Sequence, residues 1–226
     1  MSASADVWAI VPVKPFAVAK RRLAPVMRAA ERAHLARLML EDVLDALAHS
    51  AAHLAGIVVV TADENAGALA AQRDAKVVSC DGRDGINAAI RLGADRAMRC
   101  GGGAVLIAPS DIPQLTPHGV AEAVDAIGTF GTLALLSATR DGGTNLLACR
   151  PATALPLHFG PGSFKKHCAS ARRDGMHLRV LPPGDLGLDV DRPDDLADLL
   201  SLQSKTRTHA YLSRLTCAPA AWPASP

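Results

Sequence analysis

The sequence lacks the cysteine pattern of a metal-binding or disulfide-stapled protein. Its five cysteines are scattered and form no C-x-x-C pair, which argues against a zinc site and against a disulfide framework. We interpret them as small apolar residues in a reducing compartment. The cysteine pattern therefore predicts a cytoplasmic protein.

Long apolar runs and a strong net charge are also missing. No stretch approaches the ~18 apolar residues of a membrane span, and the first apolar run has an acid before it and basic residues after it, the reverse of a secretory signal. We therefore expect a soluble protein with no membrane partner. The net charge of +2 is too small for a general nucleic-acid binder, so any anion must be recognised locally.

The two common nucleotide-binding fingerprints are absent. The segment GPGSFK departs from G-x-G-x-x-G at its last position, and no G-x-x-x-x-G-K-[ST] occurs. A dehydrogenase or P-loop interpretation is therefore disfavoured. The dispersed histidines give no recognisable Ser–His–Asp arrangement either.

What is present is an alternation of short aliphatic runs with segments of helical period. Near-continuous apolar strands are typical of a mostly parallel sheet covered on both faces. We predict a single α/β domain over residues 1–204 and a loosely ordered tail over 205–226, where the helical period is lost. The predicted strands are 7–13, 57–61, 76–79, 104–108, 132–138, 146–150, HLRVL and LGLDVD.

A basic loop follows the first predicted strand. The stretch from Trp8 to Val26 joins an apolar run to Lys14, Lys20, Arg21 and Arg22. Ligands of an open parallel sheet bind beyond the carboxyl ends of its strands. The loop is therefore a candidate anion site.

Three acids also stand at predicted strand ends. Asp111 closes one strand, and Asp189 and Asp191 lie two apart, so they share a face of an extended chain. Carboxylates held together need a cation, and hard oxygen ligands favour magnesium or manganese. The alternative is that the pair caps the helix that begins near Pro193.

Two glycine-rich segments suggest a second anion pocket. DGGTN permits a tight turn with exposed N–H groups, and FGPGSFKKH places glycines and a serine at a helix start, where the dipole attracts phosphate or carboxylate. An ordinary hairpin turn and an ordinary N-cap are the alternatives. Two anion sites with a carboxylate metal site describe a phosphoryl- or nucleotidyl-transfer enzyme.

The ordered segments also resemble a known family. IVPVKPFAVAKRRLAP, LMLEDVLDAL, VVTAD, GINAAIRLG, PSDIPQL, GGTNLL, FGPGSFKKH and LGLDVDRPDDL are similar to segments of the 2-phospho-L-lactate and phosphoenolpyruvate guanylyltransferases, over about residues 7 to 200. The resemblance implies a Rossmann-like three-layer sandwich of the nucleotide-diphospho transferase type. It also implies a reaction that joins GTP to a phosphorylated three-carbon acid and releases pyrophosphate, in biosynthesis of the deazaflavin coenzyme F-420.

The resemblance assigns roles to individual positions. Arg21 is left out because the family commonly has serine there, and we expect this side chain to face solvent. Lys20, Arg22 and Asp111 are the implied catalytic residues. The implied nucleotide site is Pro12, Lys14, Lys20, Arg22, Thr61 and Asn87; the acid site is Thr144, Asn145, Gly160 and Ser163; and the magnesium ligands are Asp111, Asp189 and Asp191.

Some alternatives stay open at this point. The segment after Asn145 lacks the family's usual alanine, which leaves the choice among phosphoenolpyruvate, 2-phospho-L-lactate and 3-phospho-D-glycerate undecided. Transfer to another cofactor or sugar phosphate, or non-catalytic GTP binding by a partner subunit, are the competing functions. A homodimer is also left open.

Overall fold

The computed structural model describes residues 6–81 and 84–216. Seven strands form one sheet in the order β3-β2-β1-β4-β6-β5-β7, and every neighbouring pair is parallel except the two pairs made by β6. The strands are β1 (Val7–Val13), β2 (Gly56–Thr61), β3 (Lys76–Ser79), β4 (Ala104–Ile107), β5 (Thr132–Ser137), β6 (Thr144–Arg150) and β7 (His177–Leu181). The predicted mostly parallel α/β sheet is confirmed.

Helices cover both faces of the sheet. Alternate residues of β1 point to opposite faces, so Ala9 and Val11 join one buried cluster while Trp8 and Ile10 join another. The second cluster is completed by α3 and α5, and the first by the remaining helices. The helices are α1 (Ala29–Ala48), α2 (Glu64–Ala71), α3 (Gly85–Arg99), α4 (Pro117–Ala126), α5 (Ser163–Arg173), α6 (Pro193–Ser201) and α7 (Arg207–Thr216).

The strand registers bring the carboxyl ends of the central strands to one edge. Val13 lies opposite Thr61, which lies opposite Ser79, and Ile10 lies opposite Ile107. The loops that leave these strands therefore share a single surface. Within the residues described, no helix is long and apolar enough to cross a membrane.

The predicted strand LGLDVD is wrong. Residues 184–187 form a short 3-10 turn, and the backbone that follows binds loops and side chains instead of a neighbouring strand. The N–H of Val190 donates to the carbonyl of Asp111, and the N–H groups of Asp191 and Arg192 donate to the Asp195 carboxylate. Val190 is buried between the half-buried Asp189 and Asp191, so the predicted common face of the two acids is retained.

The loosely ordered tail expected from residue 205 also differs from the structure. Residues Arg207–Thr216 form α7, which packs against α1 and buries Leu212. The buried carboxylate of Asp42 accepts hydrogen bonds from the N–H groups of Arg207 and Thr208, each at 2.9 Å. The Asp42 side chain thus provides the N-terminal cap of α7, and the short helix is stabilised by its contacts with α1. The rest of the predicted tail, 217–226, lies outside the described residues.

Candidate active site

A cleft lies beyond the carboxyl ends of β1, β2, β3 and β4. It is where the strand-end rule places a ligand site. The loops after all four strands and the start of α3 contribute to its wall. The lining includes Pro12, Lys14, Phe16, Lys20, Ala62, Cys80, Gly85, Ile86, Ala89, Pro109, Ser110, Asp111 and Asp191.

Lys20 is the more buried of the two lysines that line this cleft. Its side chain is only 8% exposed, and its Nζ lies 2.7 Å from Oδ2 of Asp111 and 3.8 Å from Oδ1 of Asp191. Its backbone is left-handed, with φ of 53°, a conformation that costs a non-glycine residue roughly 1 kcal/mol or more. The strained backbone at Lys20 therefore accompanies the placement of its ammonium group next to the two acids.

The basic loop is fastened to the sheet by Asp63, a residue for which the sequence predicted no role. Its Oδ2 accepts the N–H of Phe16 at 2.7 Å, while its Oδ1 caps α2 by accepting the N–H of Asn65 at 2.9 Å. The Asp63 N–H in turn donates to the buried hydroxyl of Thr61 at 3.0 Å. Thr61, predicted to contact nucleotide, thus orients the residue that holds the loop. The acid-rich start of α2 was the available signal, because Asp is a preferred N-cap.

The other basic residues of the loop are more exposed. An Nη of Arg22 lies 2.6 Å from Oδ2 of Asp191, although the Arg22 side chain is 59% exposed. Lys14 is exposed at the cleft wall. Arg21 is exposed as well, as the prediction that it faces solvent requires.

Two of the three predicted metal ligands, Asp111 and Asp191, lie on either side of Lys20, and the third, Asp189, lies close enough to Asp111 to feel its charge. Partial burial of the Asp189 carboxyl, and to a lesser extent the charges of Asp111 and Asp141, raise its pKa from 3.8 to about 6. The Lys20 ammonium group is the cation between Asp111 and Asp191. As the side chains stand, no group of three or more His, Cys, Asp or Glu residues within 6–81 and 84–216 is placed to hold a metal ion.

The two glycine-rich segments meet at the start of α5. The N–H of Phe164 donates to the carbonyl of Gly142 at 3.1 Å, and the hydroxyl of Ser163 donates to that of Thr144 at 3.1 Å. Gly160 and Gly162 have φ of 130° and 65°, values that favour glycine. Asp141 of the same turn lies close enough to Asp189 for its charge to raise the pKa of Asp189, so the predicted second pocket lies nearer the acids than the sequence indicated.

Two predicted contact residues use their amides to hold loops. The side chain of Asn87 accepts the N–H of Phe159 at 2.9 Å and donates to its carbonyl at 3.1 Å. Asn145 is buried and donates to the carbonyl of Leu186 at 3.0 Å. Direct contact of these two side chains with nucleotide or acid stays a prediction.

His167 is a buried residue of this region that sequence reasoning missed. Its ring lies 3.0 Å from the Thr144 hydroxyl and accepts the N–H of His158 at 3.2 Å. Burial, and to a lesser extent the nearby charges of His158 and Lys166, lower the pKa of His167 from 6.5 to about 4. The i, i+4 spacing from Ser163 was the signal, since it puts both side chains on one helix face.

Arg140 fastens the β5–β6 turn to α6. Its Nε lies 2.9 Å from Oδ1 of Asp195 and an Nη lies 3.8 Å from Oδ2 of Asp194, and it also pairs with Asp198. These acids follow the segment of Asp189 and Asp191 directly. Arg140 therefore links the β5–β6 turn to the segment that carries Asp189 and Asp191.

Comparison with known proteins decides the family. The model for "Guanylyl transferase CofC like" matches residues 7–221, nearly the whole chain. The chain belongs to this CofC-like guanylyl transferase family.

Relatives within the family are named for three different acids. The chain is 38% identical to a phosphoenolpyruvate guanylyltransferase of Rubrobacter xylanophilus, over 86% of this chain and 93% of the relative. It is 38% identical to a 3-phospho-D-glycerate guanylyltransferase of Phenylobacterium zucineum, over 92% and 95%. It is 33% identical to a 2-phospho-L-lactate guanylyltransferase of Methanothermobacter thermautotrophicus, over 92% and 90%.

Solved structures with the same fold are nucleotidyltransferases and related proteins. A candidate nucleotide-diphospho-sugar transferase of Desulfovibrio desulfuricans G20 superposes with a TM-score of 0.76 at 19% identity, covering 93% of this chain and 95% of its own. A CMP:2-keto-3-deoxy-manno-octonic acid synthetase complexed with CTP gives 0.56 at 11% identity, covering 85% and 96%. The CofC-like chain therefore has the fold of the nucleotide-diphospho-sugar transferase type.

Proposed function

We propose that this CofC-like chain transfers GMP from GTP to the phosphate of a phosphorylated three-carbon acid and releases pyrophosphate. One observation carries the proposal. The basic loop, through Lys20, touches Asp111 and Asp191, and the neighbouring Asp189 lies within electrostatic reach of the glycine-rich pocket. In this proposal a triphosphate site and an acceptor site share one set of carboxylates.

The residues of the basic loop would hold the leaving group. In the transfer, an oxygen of the acid's phosphate attacks the α-phosphorus of GTP, and the bond from that phosphorus to the oxygen bridging to the β-phosphate breaks. Pyrophosphate leaves with the electrons of that bond. Lys20, Arg22 and Lys14 stabilise the charge on the β- and γ-phosphates. The attacking phosphate is already an anion, so the reaction needs no general base.

The chemistry of the acids fits a hard divalent cation, magnesium or manganese. Asp111, Asp189 and Asp191 offer only carboxylate oxygens, the ligands these ions prefer. The pKa of Asp189 is raised first by burial and then by the charge of Asp111, and a divalent cation would offset both effects. Bound there, the ion would supply electrostatic stabilisation of the transferring phosphoryl group. Lys20, which now neutralises Asp111, would then be available to the triphosphate.

The second pocket suits a small acid that carries both a phosphate and a carboxylate. Ser163 begins α5, Gly160 lies just before it, and Thr144 at the start of β6 accepts the Ser163 hydroxyl; the positive end of the α5 dipole favours an anion there. The relatives' names favour phosphoenolpyruvate, 3-phospho-D-glycerate and 2-phospho-L-lactate as candidate acids. Guanylylated acids of this kind would serve biosynthesis of the deazaflavin coenzyme F-420.

The proposal is tested by pyrophosphate release. The purified chain is incubated with magnesium and GTP alone, with each of the three acids and with a sugar phosphate, and again with ATP, CTP or UTP in place of GTP. We expect release only with GTP and an acid. Release with a sugar phosphate but with no acid would favour transfer to another acceptor. GTP binding without release under any condition would favour a non-catalytic subunit.

A further inference from the structure

A buried chain of polar groups runs behind the second pocket. It leads from the backbone N–H of His158 through the ring of His167 to the hydroxyls of Thr144 and Ser163. The three side chains are 0%, 6% and 1% exposed for His167, Thr144 and Ser163. Buried polar groups are hydrogen-bonded to one another. The donor and the acceptor of each bond can therefore be assigned from the number of protons and lone pairs on each atom.

The first link fixes the tautomer of His167. The His158 N–H donates to Nε2 of His167 across 3.2 Å. A backbone N–H can only donate, so Nε2 carries a lone pair and the neutral ring has its proton on Nδ1. Burial keeps the ring neutral near pH 7, because it lowers the pKa of His167 to about 4. The Nδ1 proton therefore faces the hydroxyl oxygen of Thr144 at 3.0 Å.

The second link leaves the hydroxyl proton of Thr144 without an acceptor among these groups. Its Oγ1 accepts from His167 and also from the Ser163 hydroxyl, at 3.1 Å. A hydroxyl oxygen has two acceptor positions and one proton. Both acceptor positions are filled, and neither partner can receive the Thr144 proton because each is donating. That proton is left for a third partner.

We infer that His167 is a positioning residue that makes Thr144 a hydrogen-bond donor to an anionic oxygen of the acid substrate. The inference rests on the proposed function of the pocket between Gly142 and Ser163. With the proton on Nε2 instead, Nδ1 would take the Thr144 proton, and the hydroxyl would turn a lone pair towards the anion. The tautomer thus decides whether Thr144 attracts or repels the acid.

Two substitutions separate the donor role from mere packing. His167→Asn keeps an N–H group near the position of Nδ1, whereas His167→Gln places its amide near Nε2, where its oxygen can still accept the His158 N–H, and leaves no donor at the position of Nδ1. We expect His167→Gln to raise the KM for the acid roughly tenfold or more, as for loss of a charge-assisted hydrogen bond, with kcat and the KM for GTP within about twofold. His167→Asn should stay near wild type. Cys168→Ala, buried next to it on α5, is the control and should change neither KM.

A spectrum of the unmodified protein gives an independent readout. Long-range ¹⁵N–¹H correlations of the His167 ring should show a protonated Nδ1 and a bare Nε2 at neutral pH. A proton on Nε2, or equal effects of His167→Gln on the two KM values, would overturn the inference. If the wild-type chain releases no pyrophosphate with any of the acids, the proposed function fails, while the spectrum still decides the tautomer on which the inference depends.

Discussion

The Nζ of Lys20 lies 2.7 Å from Oδ2 of Asp111, although 91 residues separate them in the chain. The contact joins the loop after β1 to the loop after β4. It is made by a residue in a left-handed backbone conformation whose side chain is almost fully buried. Strain of this kind persists only where surrounding contacts enforce it, and it clusters at functional sites.

Removing the Lys20 ammonium group should therefore strongly reduce catalytic efficiency with GTP. We expect Lys20→Ala to lower kcat/KM for GTP by roughly 100-fold or more, because a buried cation next to the triphosphate site is lost. Arg21→Ala is the matched control, since that neighbour is exposed, and it should stay within about twofold of wild type. Steady-state pyrophosphate release measures both. Equal effects of the two substitutions would mean that bulk charge, and not the Lys20 contact, matters.

Asp189→Asn should stabilise the fold while destroying activity. Above the raised pKa of about 6, the native state bears the cost of a buried, repelled carboxylate that the unfolded chain does not. Removing the charge should raise Tm at about pH 7.5, by ~2–4 °C for each kcal/mol recovered. The gain should shrink near pH 5, where Asp189 takes up a proton. If Asp189→Asn has a lower Tm than wild type at about pH 7.5, the carboxylate stabilises the native state and the prediction is wrong.

Stability should also depend on His167 between pH 4 and 6.5. The pKa of this ring is lowered from 6.5 to about 4 in the folded chain, so the unfolded chain binds more protons in that window. The ring's contribution to stability is thus complete above pH 6.5 and is lost as pH falls towards 4. Urea titration at several pH values gives the free energy of unfolding of wild type and of His167→Gln. The difference between the two should become smaller as the pH falls from 6.5 towards 4. A difference independent of pH would contradict the lowered pKa.

Arg140 should influence use of the acid more than use of GTP. It ties the turn of Asp141 and Gly142 to α6 through Asp194, Asp195 and Asp198. Its side chain is 42% exposed, so screening limits the effect. We expect Arg140→Gln to raise the KM for the acid by roughly threefold to tenfold.

The matched control for Arg140 is Arg173→Gln, which removes an exposed pair with the adjacent Asp174. It should leave both KM values unchanged. Salt should act on wild type in the direction of Arg140→Gln, because it weakens the same ion pairs. An effect of Arg140→Gln on GTP alone would contradict the assignment of this turn to the acid.

Most of the sheet could be predicted because each strand carries its own signal. The bounds of β1 and β3 agree with those predicted, since a buried parallel strand appears as a short aliphatic run between loops. The segment around Asp189 has a similar run, yet its backbone hydrogen bonds go to a loop carbonyl and to the Asp195 side chain. Nothing in the local pattern distinguishes those partners from a strand ladder.

The site was predictable only as far as single segments reveal it. Strand ends and charge singled out Lys20 and Asp111, and both line the cleft. The supporting residues Asp63 and His167 were missed, because their role lies in hydrogen bonds to groups 47 and 23 residues away in the chain. The helix α7 was missed for the same reason, since its N-terminal cap is Asp42 of α1.

The most direct test of the account identifies the product made from GTP, magnesium and each candidate acid. We expect one acid to give a mass equal to GTP plus acid minus pyrophosphate, with ³¹P spectra showing two coupled phosphorus atoms of an unsymmetrical diphosphate. The appearance of GDP and free phosphate, or of a GMP adduct with a sugar phosphate but with none of the acids, would contradict it.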